Sequence, residues 1–283
     1  MQGKIVMVTG ANAGIGKVAV RELAGMGAHV IMVARSRERG EAALAEIKTA
    51  TNGSQIDLLL SDLSSQESVR QLADDFKARC DKLHVLVNNA GAIFLQRRES
   101  VDGLEMTFAL NHLGYFLLTN LLLDVIKASA SARIVNVSSQ AHQRAKLDLD
   151  DLQNEKSYQG YRAYSQSKLA NLLFTYELAR RLEGSGVTVN ALHPGFVASN
   201  FAKNNGLAAR LAMDLFKLLR MSRTTEEGAE TPIYLASSPE VAGVTGKYFS
   251  DKRAIRSSTA SYNEADARKL WQVSEQLTGL DPS

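Results

Sequence analysis

Tyr164 and Lys168 stand four residues apart in the run Tyr164-Ser165-Gln166-Ser167-Lys168. On a helix that spacing puts a phenol and an ammonium group on one face, one turn apart. Leu169, Leu172, Leu173, Tyr176, Leu178 and Leu182 recur downstream at helical spacing, so the segment reads as a helix. A free phenol titrates near pH ~10, and a cation beside it favours the phenolate. Tyr164 is therefore a candidate acid/base near neutrality. The same pair also suits an ordinary exposed helix face. Neighbouring tyrosines lack it: Arg162 stands four residues after Tyr158, and Ser165 four after Tyr161.

Positioning such a pair requires a framework, and the chain supplies an alternating one. Strand-like apolar runs occur at 4–9, 28–34, 55–60, 83–88, 133–138, 187–192 and 246–249. Helix-period segments lie near 14–26, 37–50, 65–80, 103–128, 161–184, 225–237 and 262–277. This alternation predicts an α/β fold, a doubly wound parallel sheet with right-handed crossovers and helices on both faces. Ser64 with Glu67, and Thr224 with Glu227, have the spacing of a capping box. No Pro/Ser linker, repeat or low-complexity tract divides the chain, so residues 1–283 are expected to form one domain.

Composition narrows the function classes. A hydrophobic content of 45% leaves ample material for a core at this length. The net charge of +3 comes without any Lys/Arg stripe, which argues against nucleic acid as partner. Cys80 is the single cysteine, so an intrachain disulfide and a thiolate metal cluster are both excluded. No leader-like segment opens the chain, and no apolar run reaches the ~20 residues of a membrane span. The expectation is a soluble cytoplasmic protein, with peripheral membrane contact left open.

The first strand ends in Thr9-Gly10-Ala11-Asn12-Ala13-Gly14-Ile15-Gly16, where a strand turns into a helix. Gly10, Gly14 and Gly16 let the backbone turn tightly and approach a ligand, and the helix start presents free N–H groups to a pyrophosphate. The spacing differs from the general G-x-G-x-x-G fingerprint. The second strand ends in Ala34-Arg35, where dinucleotide folds usually place a carboxylate for the ribose 2′-hydroxyl. A guanidinium there would bind a 2′-phosphate. NADP(H) is accordingly expected over NAD(H), read by Arg35 with Arg37, Arg39 and Lys17 as helpers. Asp62-Leu63 follows the third strand and Asn88-Asn89-Ala90-Gly91 the fourth, both at strand carboxyl ends where ligands lie. Asp62 could accept from an adenine amino group or merely cap a helix; the Asn88–Gly91 turn could admit a cofactor or merely turn.

Taken together, Gly10/Gly14/Gly16, Asp62-Leu63, Asn88-Asn89-Ala90-Gly91, Ser139, and Tyr164 with Lys168 resemble the short-chain dehydrogenase/reductase family across nearly the whole chain. Asn111-His112-Leu113-Gly114, Arg133-Ile134-Val135-Asn136-Val137-Ser138-Ser139 and Ser167-Lys168-Leu169-Ala170-Asn171 are similar to its retinol dehydrogenase-like branch, which includes protochlorophyllide reductase relatives. The resemblance implies a Rossmann-type sheet in strand order 3-2-1-4-5-6-7. It also implies an active site of Asn111, Ser139, Tyr164 and Lys168, with Ser139 rather than Ser138 as the hydroxyl that steadies a substrate carbonyl. Lys168 would hold the nicotinamide ribose and lower the Tyr164 pKa.

Cofactor contacts implied by the resemblance run through Gly10, Asn12, Gly14, Ile15 and Gly16, then Asp62, Leu63, Asn89, Ala90 and Gly91. They end at Pro194, Gly195 and Val197, with Ser199 where a threonine is usual. Residues 200–223 carry leucines on one helical face and basic residues on another, which suits a lid over a lipophilic substrate or a helix resting on a membrane. The join between Ser139 and Tyr164 reads as a solvated loop or a pocket rim. The function expected is NADP(H)-dependent reduction of a lipophilic aldehyde or ketone, or the reverse oxidation. A non-catalytic NADP-binding interaction protein is the alternative. Pairing of the 103–128 and 161–184 helices across a homo-oligomer is a further family-based expectation.

Overall fold

The computed structural model describes residues 1–129, 131–197 and 222–281. Eight strands form one sheet: β1 (Ile5–Thr9), β2 (His29–Ala34), β3 (Ile56–Leu60), β4 (Val85–Asn88), β5 (Arg133–Val137), β6 (Thr188–Leu192), β7 (Lys247–Ser250) and β8 (Arg253–Ile255). Their order is β3-β2-β1-β4-β5-β6-β7-β8. The first seven are parallel and match the order expected. β8 is an addition: it turns back through Asp251 and Lys252, both at positive φ, and pairs antiparallel with β7. Its three residues are all exposed, so no apolar alternation announces it in the sequence.

The helices among the described residues are α1 (Gly14–Gly25), α2 (Arg37–Ala50), α3 (Gln66–Lys77), α4 (Met106–Phe108), α5 (Gly114–Leu121), α6 (Leu123–Lys127), α7 (Gly160–Arg181), α8 (Thr225–Ser237) and α9 (Glu264–Thr278). Successive side chains of a strand point to opposite faces, and β1 shows the result. Met7 joins a core with Phe76, Phe116, Phe174 and Trp271 on one side of the sheet. Val6 and Val8 join Val20, Leu23, Ile47 and Leu235 on the other. Strands buried on both faces explain why the apolar runs are nearly continuous.

Three local expectations need correction. Ser65, not Ser64, caps α3, accepting from the Ser68 amide, while Ser64 donates its hydroxyl to Asp62. The Thr224–Glu227 capping box is formed in full at the start of α8. The 103–128 helix is not continuous: a wider π-turn at Ala109–Leu113 separates α4 from α5, and Leu122 separates α5 from α6. Asn111 sits in that wide turn, where its side chain exchanges two hydrogen bonds with the Ala92 backbone. The join after Ser139 is more than a solvated loop, because Leu147, Leu149 and Leu152 pack with Phe108, Leu169 and Leu173.

Candidate active site

The carboxyl ends of the parallel strands surround a cavity of about 490 Å³. Its floor depends on close backbone approach between β1 and β4. The Thr9 hydroxyl accepts from the Asn89 and Ala90 amides at 2.8 and 3.0 Å, and Asn89 Nδ2 donates to the Thr9 carbonyl at 2.8 Å. Gly10 has φ +64°, and a Cβ there would lie 2.8 Å from Ala90 Cα. A Cβ on Gly16 would lie 2.5 Å from the Gly10 carbonyl oxygen. Only glycine fits these two positions without moving backbone.

α1 begins at this floor with Ala13 before it, and neither a capping side chain nor an acidic residue satisfies its first turn. By contrast Ser36, Ser65, Thr224 and Asn263 cap α2, α3, α8 and α9 with their side chains. Unclaimed N–H groups at a helix start suit a phosphate. Gly10, Asn12, Gly14 and Ile15 line the cavity here; Gly16 lies behind the wall as a packing residue. At the far end stand Arg35, Arg39, Asp62 and Leu63. Arg35 Nη1 lies 3.8 Å from Asp62 Oδ2, and Asp62 Oδ1 accepts from the Ser64 amide at 3.0 Å. Of the expected basic helpers only Arg39 reaches the wall. Lys17 is paired with Glu46 and Arg37 with Glu41, one turn along its own helix.

The other end holds the hydroxyl groups. β5 delivers Ser138 and Ser139 in succession. Both border the cavity; Ser138 is buried with its hydroxyl donated to the Lys168 carbonyl at 2.8 Å, whereas the Ser139 hydroxyl accepts from the Ala141 amide at 3.2 Å. α7 brings Tyr164 to the same wall, near enough to the Ser139 side chain for that hydroxyl to favour the ionised phenol. One turn along α7, Lys168 is 3% exposed and donates from Nζ to the Val137 carbonyl at 2.9 Å. Its Nζ lies 5.7 Å from the Tyr115 ring centre and 5.8 Å from that of Tyr164. Asn111 is fully buried behind this wall, donating to Ser167 Oγ at 3.0 Å. A Cβ on Gly91 would sit 3.1 Å from Asn111 Oδ1 and 3.4 Å from Lys168 Nζ, so the three meet at one point.

The electrostatics differ from the sequence expectation. Burial pushes the Tyr164 phenol up, and the Ser139 side chain pulls it partly back. Burial also depresses Lys168 to about 7. Both charged forms lose solvation here, so the expected net lowering of Tyr164 by Lys168 does not occur. A neutral phenol is the form that can donate a proton.

Asn89, Ala90 and Gly91 line the cavity, as do Pro194, Gly195 and Val197. Asn88 does not. It is buried and donates to Thr119 and Asn136, and Asn136 donates to Thr175, tying β4 and β5 to α5 and α7. Gly195 is at φ +78° with the Arg223 side chain against it, and Arg223 is held by Asp251. Ser199 and all but the last two residues of the 200–223 segment lie outside the described residues. Thr9, Tyr115, Tyr161 and Arg223 are contributions that sequence reasoning missed. Among the described residues no cluster of potential metal ligands occurs, and no helix is long and apolar enough to cross a membrane.

A family model described as short chain dehydrogenase matches residues 4–209. The chain belongs to the short-chain dehydrogenase family. Within it, mouse retinol dehydrogenase 12 is 45% identical over 281 residues, covering 98% of this chain and 87% of that protein. An uncharacterised protein from Mycobacterium paratuberculosis superimposes with TM-score 0.80 at 36% identity, covering 98% of this chain and 94% of the other. The RhlG/NADP complex from Pseudomonas aeruginosa follows at TM-score 0.69 and 31% identity, covering 88% and 94%. This short-chain dehydrogenase is retinol dehydrogenase-like, and its relatives are oxidoreductases.

Proposed function

We propose that the chain is an NADP(H)-dependent oxidoreductase that reduces the carbonyl of an apolar aldehyde or ketone, or runs the reverse oxidation. The observation that carries this reading is the gathering of Ser139, Tyr164 and Lys168 in one wall of a glycine-floored cavity, with Lys168 buried one turn along α7 from Tyr164. The residues suit a dinucleotide: an uncapped helix start over Gly10 and Gly14 for the pyrophosphate, and Arg35 with Arg39 beyond the end of β2 for a 2′-phosphate. A relative of known structure is complexed with NADP, which agrees. When bound, the cofactor supplies the hydride for reduction.

The protein's own part is proton supply and orientation. Ser139 donates to the substrate carbonyl oxygen as negative charge builds there. Tyr164, kept neutral by burial, gives its proton to the same oxygen. Lys168, fixed to the Val137 carbonyl, faces the reacting region from α7 and would contact the ribose. Asn111 holds the Ala92 backbone and so the turn after β4 that would face the cofactor. Ile93, Tyr161 and Phe196 give the substrate end an apolar lining, and the retinol of the named relative is a long apolar alcohol. A cytoplasmic setting is part of this proposal.

The test is a panel of lipophilic aldehydes, ketones and quinones with NADPH, wild type beside Tyr164→Phe. Loss of a general acid lowers kcat by ~10²–10⁴-fold, with NADPH affinity retained. A wild type that binds NADPH but oxidises none of it across the panel would favour the non-catalytic binding protein.

A further inference from the structure

His142 stands three residues after Ser139, in the 3-10 turn Gln140–Arg144, and is fully buried outside the cavity wall. Its Nδ1 lies 2.6 Å from the Ser139 carbonyl oxygen, and its Nε2 lies 3.2 Å from the Ser258 backbone nitrogen. A carbonyl can only accept and a peptide N–H can only donate. The imidazole is therefore neutral, with its proton on Nδ1. The ring also meets Tyr248 of β7 edge-on, with centres 5.0 Å apart.

Ser258 belongs to a segment that is itself tied back to α7. Ser257 Oγ lies 2.7 Å from Tyr176 Oη and 2.7 Å from Ser261 Oγ. The Ser257 amide donates to Tyr262 Oη at 3.2 Å, and the Tyr262 ring stacks on Tyr176 at 5.2 Å, 8° from parallel. Tyr176 is on the helix that carries Tyr164 and Lys168. A path of bonds thus leaves Ser139, passes through His142 and the 257–262 segment, and returns to α7.

We propose that His142 is the positioning residue for Ser139, tying its carbonyl to the C-terminal segment so that the Ser139 hydroxyl is held against Tyr164. This rests on the catalytic reading of Ser139 and Tyr164 given above. Ser138 supplies the other tie, through the Lys168 carbonyl. Ser139 is thereby fixed to α7 from two sides, one local and one reaching 116 residues along the chain. Misplacement of a reacting group by an ångström is enough to lower a rate substantially.

The experiment compares His142→Phe with His142→Gln in the full chain. Phenylalanine keeps the aromatic packing and removes the ring's contacts with the Ser139 carbonyl, the Ser258 amide and, at 3.4 Å, the Tyr248 hydroxyl; glutamine has an N–H to donate and an oxygen to accept. Carbonyl turnover, NADPH affinity by fluorescence titration and Tm are measured for each. His142→Phe should lower kcat about tenfold or more with KM and NADPH affinity little changed, and His142→Gln should recover most of the rate. Equal kcat in wild type and His142→Phe overturns the proposal, as does a loss in both variants that merely tracks Tm. Should His142→Phe fail to fold, Tyr176→Phe breaks the same path at Ser257 and should lower kcat alone; unchanged kcat there overturns it equally. A wild type that binds NADPH without turnover overturns the catalytic reading and this proposal together, whereas an active wild type with an equally active His142→Phe overturns this proposal alone.

Discussion

The ammonium nitrogen of Lys168 lies 2.9 Å from the carbonyl oxygen of Val137, buried between the rings of Tyr115 and Tyr164. One backbone acceptor and two aromatic faces replace the water that an exposed lysine would have. They replace it incompletely, and the lysine falls to about 7.

Stability should therefore depend on pH through this group. Between about 7 and 10.5 the unfolded lysine binds a proton that the folded one has lost. The unfolded state then holds more protons, so stability rises with pH across that window. Below about 7 both states are protonated and the full cost of the buried charge remains. Lys168→Met removes that cost: its Tm should exceed the wild-type value at pH 6, and the advantage should shrink by pH 9. A Tm difference independent of pH would exclude buried charge as its origin. The variant is expected to be inactive in carbonyl reduction.

Arg35→Ala should separate the two nicotinamide cofactors. Arg35 lines the cavity, and among the described residues its ion pair is a long, half-exposed contact with Asp62. A charge-assisted contact to a 2′-phosphate contributes ~1.5–3 kcal/mol, so kcat/KM for NADPH should fall roughly ten- to a hundredfold. The value for NADH should stay the same or rise as the guanidinium leaves. Equal losses with both cofactors would contradict a 2′-phosphate role.

Gly16→Ala probes the floor without touching the cavity wall. Its new methyl would lie 2.5 Å from the Gly10 carbonyl and 2.6 Å from Asn89 Nδ2. Because one of these atoms is backbone, the β1–α1 turn must shift, and Asn89 loses its seat on Thr9. Weaker NADPH binding, by roughly tenfold or more, is expected from a displaced phosphate cradle. Calorimetry or fluorescence titration measures it; wild-type affinity would show that the turn has slack.

Much of this site was legible because its signals are local. Gly10, Gly14 and Gly16 sit in one turn, and Tyr164 and Lys168 share one helix face, so neighbouring residue types suffice to place them. Other features depend on chain segments far apart. Thr9 meets Asn89 across 80 residues and His142 meets Ser258 across 116; no spacing rule joins such pairs. The π-turn around Asn111 was hidden because a polar residue in an apolar helix has the same pattern whether the helix is regular or widened. The Tyr164 environment was misjudged for another reason. Sequence shows which charges are near but not how much water is excluded, and here burial raises the phenol more than the Ser139 side chain lowers it.

The three-residue strand β8 has a consequence beyond topology. It occupies the side of β7 that would otherwise offer unpaired peptide groups, and it brings exposed Lys252, Arg253 and Arg256 to that border. Another molecule adding its own strand there would find an edge only three residues long, flanked by the exposed charges of Asp251, Lys252, Arg253 and Arg256. A short, charged border of this kind is a poor template for edge-to-edge pairing between molecules.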